Sequence, residues 1–160
     1  MSLGKNNIVR SVNPKSTFES AINVIDSSTS FNQGDLLVFD TVTRTLRIAA
    51  VEGDGATFCG VARCSVVSGK LASPYQGTAV DAAQAISDVP GPLAGVICKL
   101  TLKTGDSLNA GQIVFLHPAT GTDGVQSAGT VGIGVYQGKT IAAAPAGTKV
   151  EVLLVSQLPV

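Results

Sequence analysis

Phe31-Asn32-Gln33-Gly34-Asp35-Leu36-Leu37-Val38-Phe39 aligns without gaps on Leu108-Asn109-Ala110-Gly111-Gln112-Ile113-Val114-Phe115-Leu116. The shared form is an apolar anchor, Asn, any residue, Gly, a polar residue and then four apolar residues. Asn and Gly tolerate the left-handed backbone that a tight turn into a strand requires, and the anchor pins that turn to a core. Four consecutive apolar residues bounded by turn signals read as a buried strand. Each copy is followed by a polar turn, a short strand and a Gly-Val step, Gly60-Val61 in one and Gly134-Val135 in the other. The echo predicts two copies of one β unit, 21–67 and 96–155, packed as a pseudo-symmetric barrel or sandwich.

Outward from these stretches the texture stays β-like. Ala21–Ile25 is short and β-prone, and Asp26–Ser30 is a polar turn. Leu46–Val51 alternates before turning apolar, Glu52-Gly53-Asp54-Gly55 is a strong turn signal, and Phe58–Ala62 leads into Ser65–Val67. Val96–Leu102 alternates at its centre, as a half-buried strand does. Val131–Tyr136 and Val150–Val155 complete the series, the latter as a last core strand, because exposing so apolar a run at an edge invites aggregation. Residues 68–95 break the rhythm as an inserted loop, in which Thr78–Ile86 is Ala-rich enough for a two-turn helix. Residues 1–20 show neither period and read as an extended N-terminal arm ahead of one β domain, 21–160.

The composition narrows the class. Charged residues are 14 % of the 160, against about 25 % in an ordinary domain, and the formal net charge is zero. Such a chain has little electrostatic reach toward phosphate backbones or anionic lipid, so no nucleic-acid or membrane role is expected. Hydrophobic residues reach 44 %, yet aromatics are 4 % and Trp is absent. With 18 Gly and 7 Pro to punctuate short strands, the expectation is an all-β fold. The first residues lack the apolar stretch of a signal peptide, and no run approaches the roughly 20 apolar residues of a membrane span. Synthesis and retention in the cytosol follow as an expectation. Cys59, Cys64 and Cys98 lie among apolar neighbours and lack metal-knuckle spacing, which predicts reduced, packed thiols.

No catalytic constellation emerges. His117 precedes Pro118 at a strand end without a second histidine to share a metal. Asp35 and Asp106 follow glycines at turn entries, where carboxylates accept backbone N–H bonds. Asp40 and Asp123 would approach each other only if the two units packed face to face. Arg44, Arg47 and Arg63 lack the interleaved aromatics of a nucleic-acid platform, and neither a phosphate loop nor Gly-x-Ser-x-Gly is present. The reading is a non-enzyme without cofactor or metal. Thr104-Gly105-Asp106-Ser107-Leu108-Asn109-Ala110-Gly111-Gln112-Ile113-Val114 resembles the turn of biotinyl and lipoyl carrier domains, whose acceptor lysine sits on the following hairpin. Phe115–Gly124 contains no lysine, so the covalent-carrier meaning does not carry over.

Gly34–Phe39, Gly60-Val61-Ala62, Gly105–Val114 and Gly147–Leu154 together resemble the capsid decoration (cement) proteins and small head proteins of tailed bacteriophages. The resemblance covers most of 31–155 in texture. It implies a β-barrel or sandwich, often trimeric, that binds the outer shell surface and staples major capsid protein subunits together in the virion. In such proteins an N-terminal arm reaches across the lattice, which here falls on residues 1–20. Ile8, Val9, Arg10 and Val12 have the β propensity to add to an exposed strand edge. A ligand- or host-surface-binding module such as a head-fibre base is the alternative. Two Tyr and five Phe supply it poorly with stacking surface.

Overall fold

A computed structural model of the chain describes residues 8–11, 18–19, 25, 28–71 and 92–155. Its strands are β1 (Ile8–Ser11), β2 (Phe18–Glu19), β3 (Leu36–Phe39), β4 (Leu46–Ile48), β5 (Phe58–Val61), β6 (Val66–Val67) and β7 (Lys70–Leu71). They continue with β8 (Leu93–Ala94), β9 (Val96–Leu102), β10 (Ile113–Leu116), β11 (Gly124–Gln126), β12 (Gly132–Tyr136) and β13 (Lys149–Leu154). The protein is all-β. Glu52–Thr57 and Pro118–Thr120 form short 3-10 turns.

The two echoed stretches become β3 and β10 with their entry turns, and their hydrogen bonds match position by position. Gly34 (φ 90°) and Gly111 (φ 77°) take the left-handed conformation the turn demands. Gly34 N–H donates to Ala62 O at 2.9 Å, as Gly111 N–H does to Tyr136 O at 3.1 Å. The Asn32 N–H reaches the Asp35 carboxylate at 2.7 Å, and the Asn109 N–H reaches the Gln112 side-chain oxygen at 2.9 Å. The anchors Phe31 and Leu108 form isolated bridges to Val66 and Ile141. The likeness extends to Ser68 N–H on Ser30 Oγ and Ala143 N–H on Ser107 Oγ, where Ser68 and Ala143 both have φ 50°. Even the bulge repeats, lying between Leu37 and Val38 in the β3–β5 ladder and between Val114 and Phe115 in β10–β12.

The surroundings of the two units differ. In the second, β11, β10, β12 and β13 are joined to β9, and the β13–β9 pairing closes a five-stranded barrel. β9 pairs parallel with β11 through Thr101 and Leu102, and antiparallel with β13 from Ile97 to Thr101. β1 meets β9 at Val96, Ile97 and Cys98, on the edge opposite β13 and in line with β11. In the first unit β3 sits between β4 and β5 in an open sheet of order β2-β8-β5-β3-β4.

Burial follows from this arrangement. β3 is apolar throughout because both its faces are covered. Leu36 and Val38 join the barrel residues Cys98, Leu100, Val114, Leu116, Val152 and Leu154 in one cluster. Leu37 faces a second cluster with Ile25, Phe31, Leu46, Cys59, Ala62 and Val66. Barrel strands instead alternate, β13 most plainly: Val150, Val152 and Leu154 point inward between exposed or half-buried neighbours.

Several expectations are refined. β4 ends at Ile48, and Val51 precedes a 3-10 turn over Glu52–Thr57 rather than continuing as strand. The short strand expected between the second copy's turn and its Gly-Val step is β11, Gly124–Gln126. β13 ends at Leu154, and Val155 is half exposed. Val12, the helix expected over Thr78–Ile86 and most of the 68–95 insertion lie outside the described residues.

Candidate functional site

The β3–β4 hairpin has a tip fixed by its own hydrogen bonds. Asp40 terminates β3 and turns its carboxylate back onto the loop, where Oδ1 accepts the N–H groups of Val42 (2.8 Å) and Thr43 (3.0 Å). Those backbone bonds, with help from Arg47, hold its carboxyl below the usual range. Asp40 N–H donates to Thr45 O and Arg44 N–H to Asp40 O, which closes the loop with Arg44 at φ 60°. Val42 therefore stands at the apex of a fixed turn, 89 % exposed.

Arg47 locks this hairpin to the next turn. Its Nε donates to Asp40 Oδ2 at 3.0 Å, and Nη1 and Nη2 grip Asp54 at 2.7 and 2.8 Å. Asp54 also accepts Ala50 and Val51 N–H. The Arg47 bonds hold the Asp54 carboxyl down at about 2, against the penalty of burial. A cleft of about 220 Å³ beside the hairpin is lined by Ser28, Thr29, Ser30, Asp40, Thr43, Thr45, Leu46 and Arg47. Its lining carries no aromatic ring, and its two charged groups are bonded to each other.

Asp35, Asp106 and Asp123 are likewise engaged. Asp35, 2 % exposed, accepts from Asn32 N–H and from Thr122 Oγ1 at 2.5 Å, while Leu36 N–H donates to Thr122 O. These bonds tie the first unit's strand entry to the second unit's hairpin tip. Asp123 is clasped by Lys149 Nζ at 2.7 Å and by Thr101 Oγ1 at 3.1 Å. Asp106 accepts from the Ser127 backbone and hydroxyl and from Ser107 N–H, and these bonds outweigh burial to lower its pKa. Asp40 and Asp123 bond to different partners in different units. His117 Nδ1 pairs with Thr120 Oγ1 across one short turn. Burial pushes the Cys59 and Cys98 thiols up to about 12, and Cys64 is half-buried. Among the described residues no group of three His, Cys, Asp or Glu converges to hold a metal ion.

Of the residues expected to dock, Ile8, Val9 and Arg10 lie in β1 and form a strand of the chain's own sheet. They are not gathered with the hairpin tip. Val42 was missed because nothing in Asp40-Thr41-Val42-Thr43 marks a valine for exposure. The usable signal was the turn chemistry of Asp40 before three β-branched residues.

The fold and its polar groups define a two-unit β scaffold. No family model and no solved structure matches the chain. It is similar, at 35 % identity over 82 residues, to the dihydrolipoyllysine-residue acetyltransferase component of the pyruvate dehydrogenase complex of Azotobacter vinelandii. The match takes in 50 % of this chain and only 12 % of that protein. Neither hairpin that follows an echoed turn bears a lysine: Asp40–Thr45 offers Val42 and Arg44, and His117–Asp123 offers His117.

Proposed function

We propose that this protein is a structural component of a tailed-phage virion that binds the outer capsid surface and bridges major capsid protein subunits without catalysing a reaction. One observation carries the reading. The acids Asp35, Asp40, Asp54, Asp106 and Asp123 are bonded within the fold. Among the described residues the exposed large apolar side chains are aliphatic: Val42, Val51, Ile113 and Val155. A surface of that kind recognises protein by shape and apolar contact, and many weak contacts add up when lattice sites repeat. The capsid as partner rests on the resemblance of the Gly34–Phe39 and Gly105–Val114 strand entries to those of decoration proteins.

Val42 is the docking residue this reading selects, because its turn is ordered before contact and loses little entropy on binding. The test is co-sedimentation of the purified chain with assembled tailed-phage shells. Wild-type chain is expected in the pellet at saturable stoichiometry, and Val42→Asp is expected to weaken binding about tenfold or more with unchanged thermal stability. A chain that stays in the supernatant at every concentration overturns the proposal.

A further inference from the structure

The tips of the β3–β4 and β10–β11 hairpins occupy equivalent places in the two units. Asp40 N–H closes the first on Thr45 O at 2.9 Å, and His117 N–H closes the second on Gly124 O at 2.8 Å. Phe39 faces Leu46 as Leu116 faces Val125. Counted back from the closing carbonyls, Thr43 and Arg44 hold the places of Thr122 and Asp123. The second tip is seated within the chain. Thr122 Oγ1 donates to the Asp35 carboxylate at 2.5 Å, and Thr122 O accepts Leu36 N–H at 2.9 Å. A tip of this β unit thus docks on a carboxylate at the entry of another strand.

The first tip has no such seat among the described residues. Val42 is 89 % exposed, and Thr41, Thr43 and Arg44 are exposed beside it. Arg47 takes the carboxylates of both Asp40 and Asp54, and the Arg44 guanidinium has no hydrogen bond or ion pair to any described residue. The Arg44 backbone sits at φ 60°, where glycine would serve the turn with less strain, so the turn alone does not call for an arginine. Asp40 holds the backbone beneath both side chains through Val42 and Thr43 N–H. We infer that this tip seats on an acidic protein surface, with the Arg44 guanidinium paired to a partner carboxylate beside the apolar spot that takes Val42. A planar guanidinium matches a carboxylate through two parallel bonds. A phosphate polymer offers Val42 no apolar seat, which makes a protein the occupant. The inference rests on the virion reading and deepens it, since the partner carboxylate then belongs to the major capsid protein at the shell surface.

The test is co-sedimentation of the full chain with assembled tailed-phage shells, comparing wild type with Arg44→Gln, Arg44→Gly, Val42→Lys and Val42→Asp. All four changes fall on an exposed tip, and a thermal melt of each checks that the fold survives. Arg44→Gln is expected to weaken binding about tenfold in about 0.1 M salt. That gap is expected to narrow in about 1 M salt, where the Debye length falls from about 10 Å to about 3 Å. Arg44→Gly relieves the left-handed strain, so its melting temperature is expected to be no lower than wild type while its binding is as weak as that of Arg44→Gln. This split separates docking by the side chain from stability of the turn. Val42→Lys and Val42→Asp lose the same apolar contact, and against an acidic surface the lysine variant is expected to bind better. A folded Arg44→Gln that binds as wild type does, a gap that salt does not narrow, or the reverse order at Val42 each overturn this inference and leave the virion reading standing. A wild-type chain that never pellets with shells overturns the virion reading and this inference with it.

Discussion

Single residues in this protein are held by polar bonds whose strength is testable by pH and by backbone substitution. Asp54 is the clearest case. With its carboxyl held at about 2 in the fold and at about 3.8 when free, it releases its proton more readily when folded. That stability is fully present above about pH 4 and is lost as pH falls toward 2. Partial solvent screening of Arg47 limits the effect to about 1–2 kcal/mol. Urea midpoints measured between pH 5 and 2 are expected to fall more steeply for wild type than for Asp54→Asn; parallel curves would remove Asp54 from the acid sensitivity. Backbone positions give the opposite sign. Ala143 sits at φ 50° with no glycine's freedom, so Ala143→Gly is expected to raise stability by roughly 1 kcal/mol in chemical denaturation. At Gly60, a β-carbon would lie 2.2 Å from the Leu93 carbonyl oxygen, whereas nothing lies within 4 Å of one at Gly111. Gly60→Ala is therefore expected to cost roughly 3 kcal/mol or more, and Gly111→Ala only about 1 kcal/mol. Equal losses at the two sites would show that steric contact with β8 is not what fixes Gly60.

Elements differed in how far the sequence disclosed them. β3, β5, β9, β10, β12 and β13 were legible because burial imposes runs or alternation of apolar residues, and the gapless echo of nine residues marked both entry turns. β11 was legible only as an unplaced short strand after the second copy's turn, because Gly124-Val125-Gln126 is too short to show a period and begins with a glycine. Its signal was relational: β4 follows β3 as β11 follows β10, and the echo taken past its nine residues places a strand there. The 3-10 turn at Glu52–Thr57 was hidden for another reason. Glu52-Gly53-Asp54-Gly55 spells a turn, and only Asp54 reaching back to Ala50 and Val51 N–H winds it into a longer element. The candidate site was less legible than the fold. Carboxylates at Asp35 and Asp106 were foreseen as turn acceptors, but Arg47 bridging Asp40 and Asp54 depends on where two turns meet in space. The parallel β9–β11 junction, equally invisible in sequence, rests on Lys149 and Asp123. Lys149→Met removes the cation from a carboxylate only 3 % exposed and is expected to cost about 1–3 kcal/mol, seen as a lower melting temperature. An unchanged melt would mean that the other bonds to Asp123 satisfy it without Lys149.

At the scale of the whole molecule, the two units are related in sequence but unequal in closure. The barrel completes itself through β9 and β13, whereas the first unit lends one face to the barrel's cluster and keeps its own core on the other. Leu36, Val38, Phe58 and Val61 belong to that shared cluster, and the Asp35–Thr122 bond crosses the same boundary. Opening the first unit alone would therefore expose barrel residues as well as its own, which predicts one cooperative transition. The chain supplies a probe in each half. Cys59 lies in the first unit's core and Cys98 in the barrel, both 0 % exposed, with thiols raised to about 12 that leave almost no thiolate at pH 8. In a Cys64→Ser background, a thiol reagent under native conditions is expected to modify Cys59 and Cys98 at one slow rate set by global unfolding. Mass spectrometry of the labelled peptides reads the two rates separately. If Cys59 is modified faster, the first unit opens on its own, and the tip that carries Val42 is then borne by the less stable half of the molecule. Equal rates make the tip as firm as the barrel.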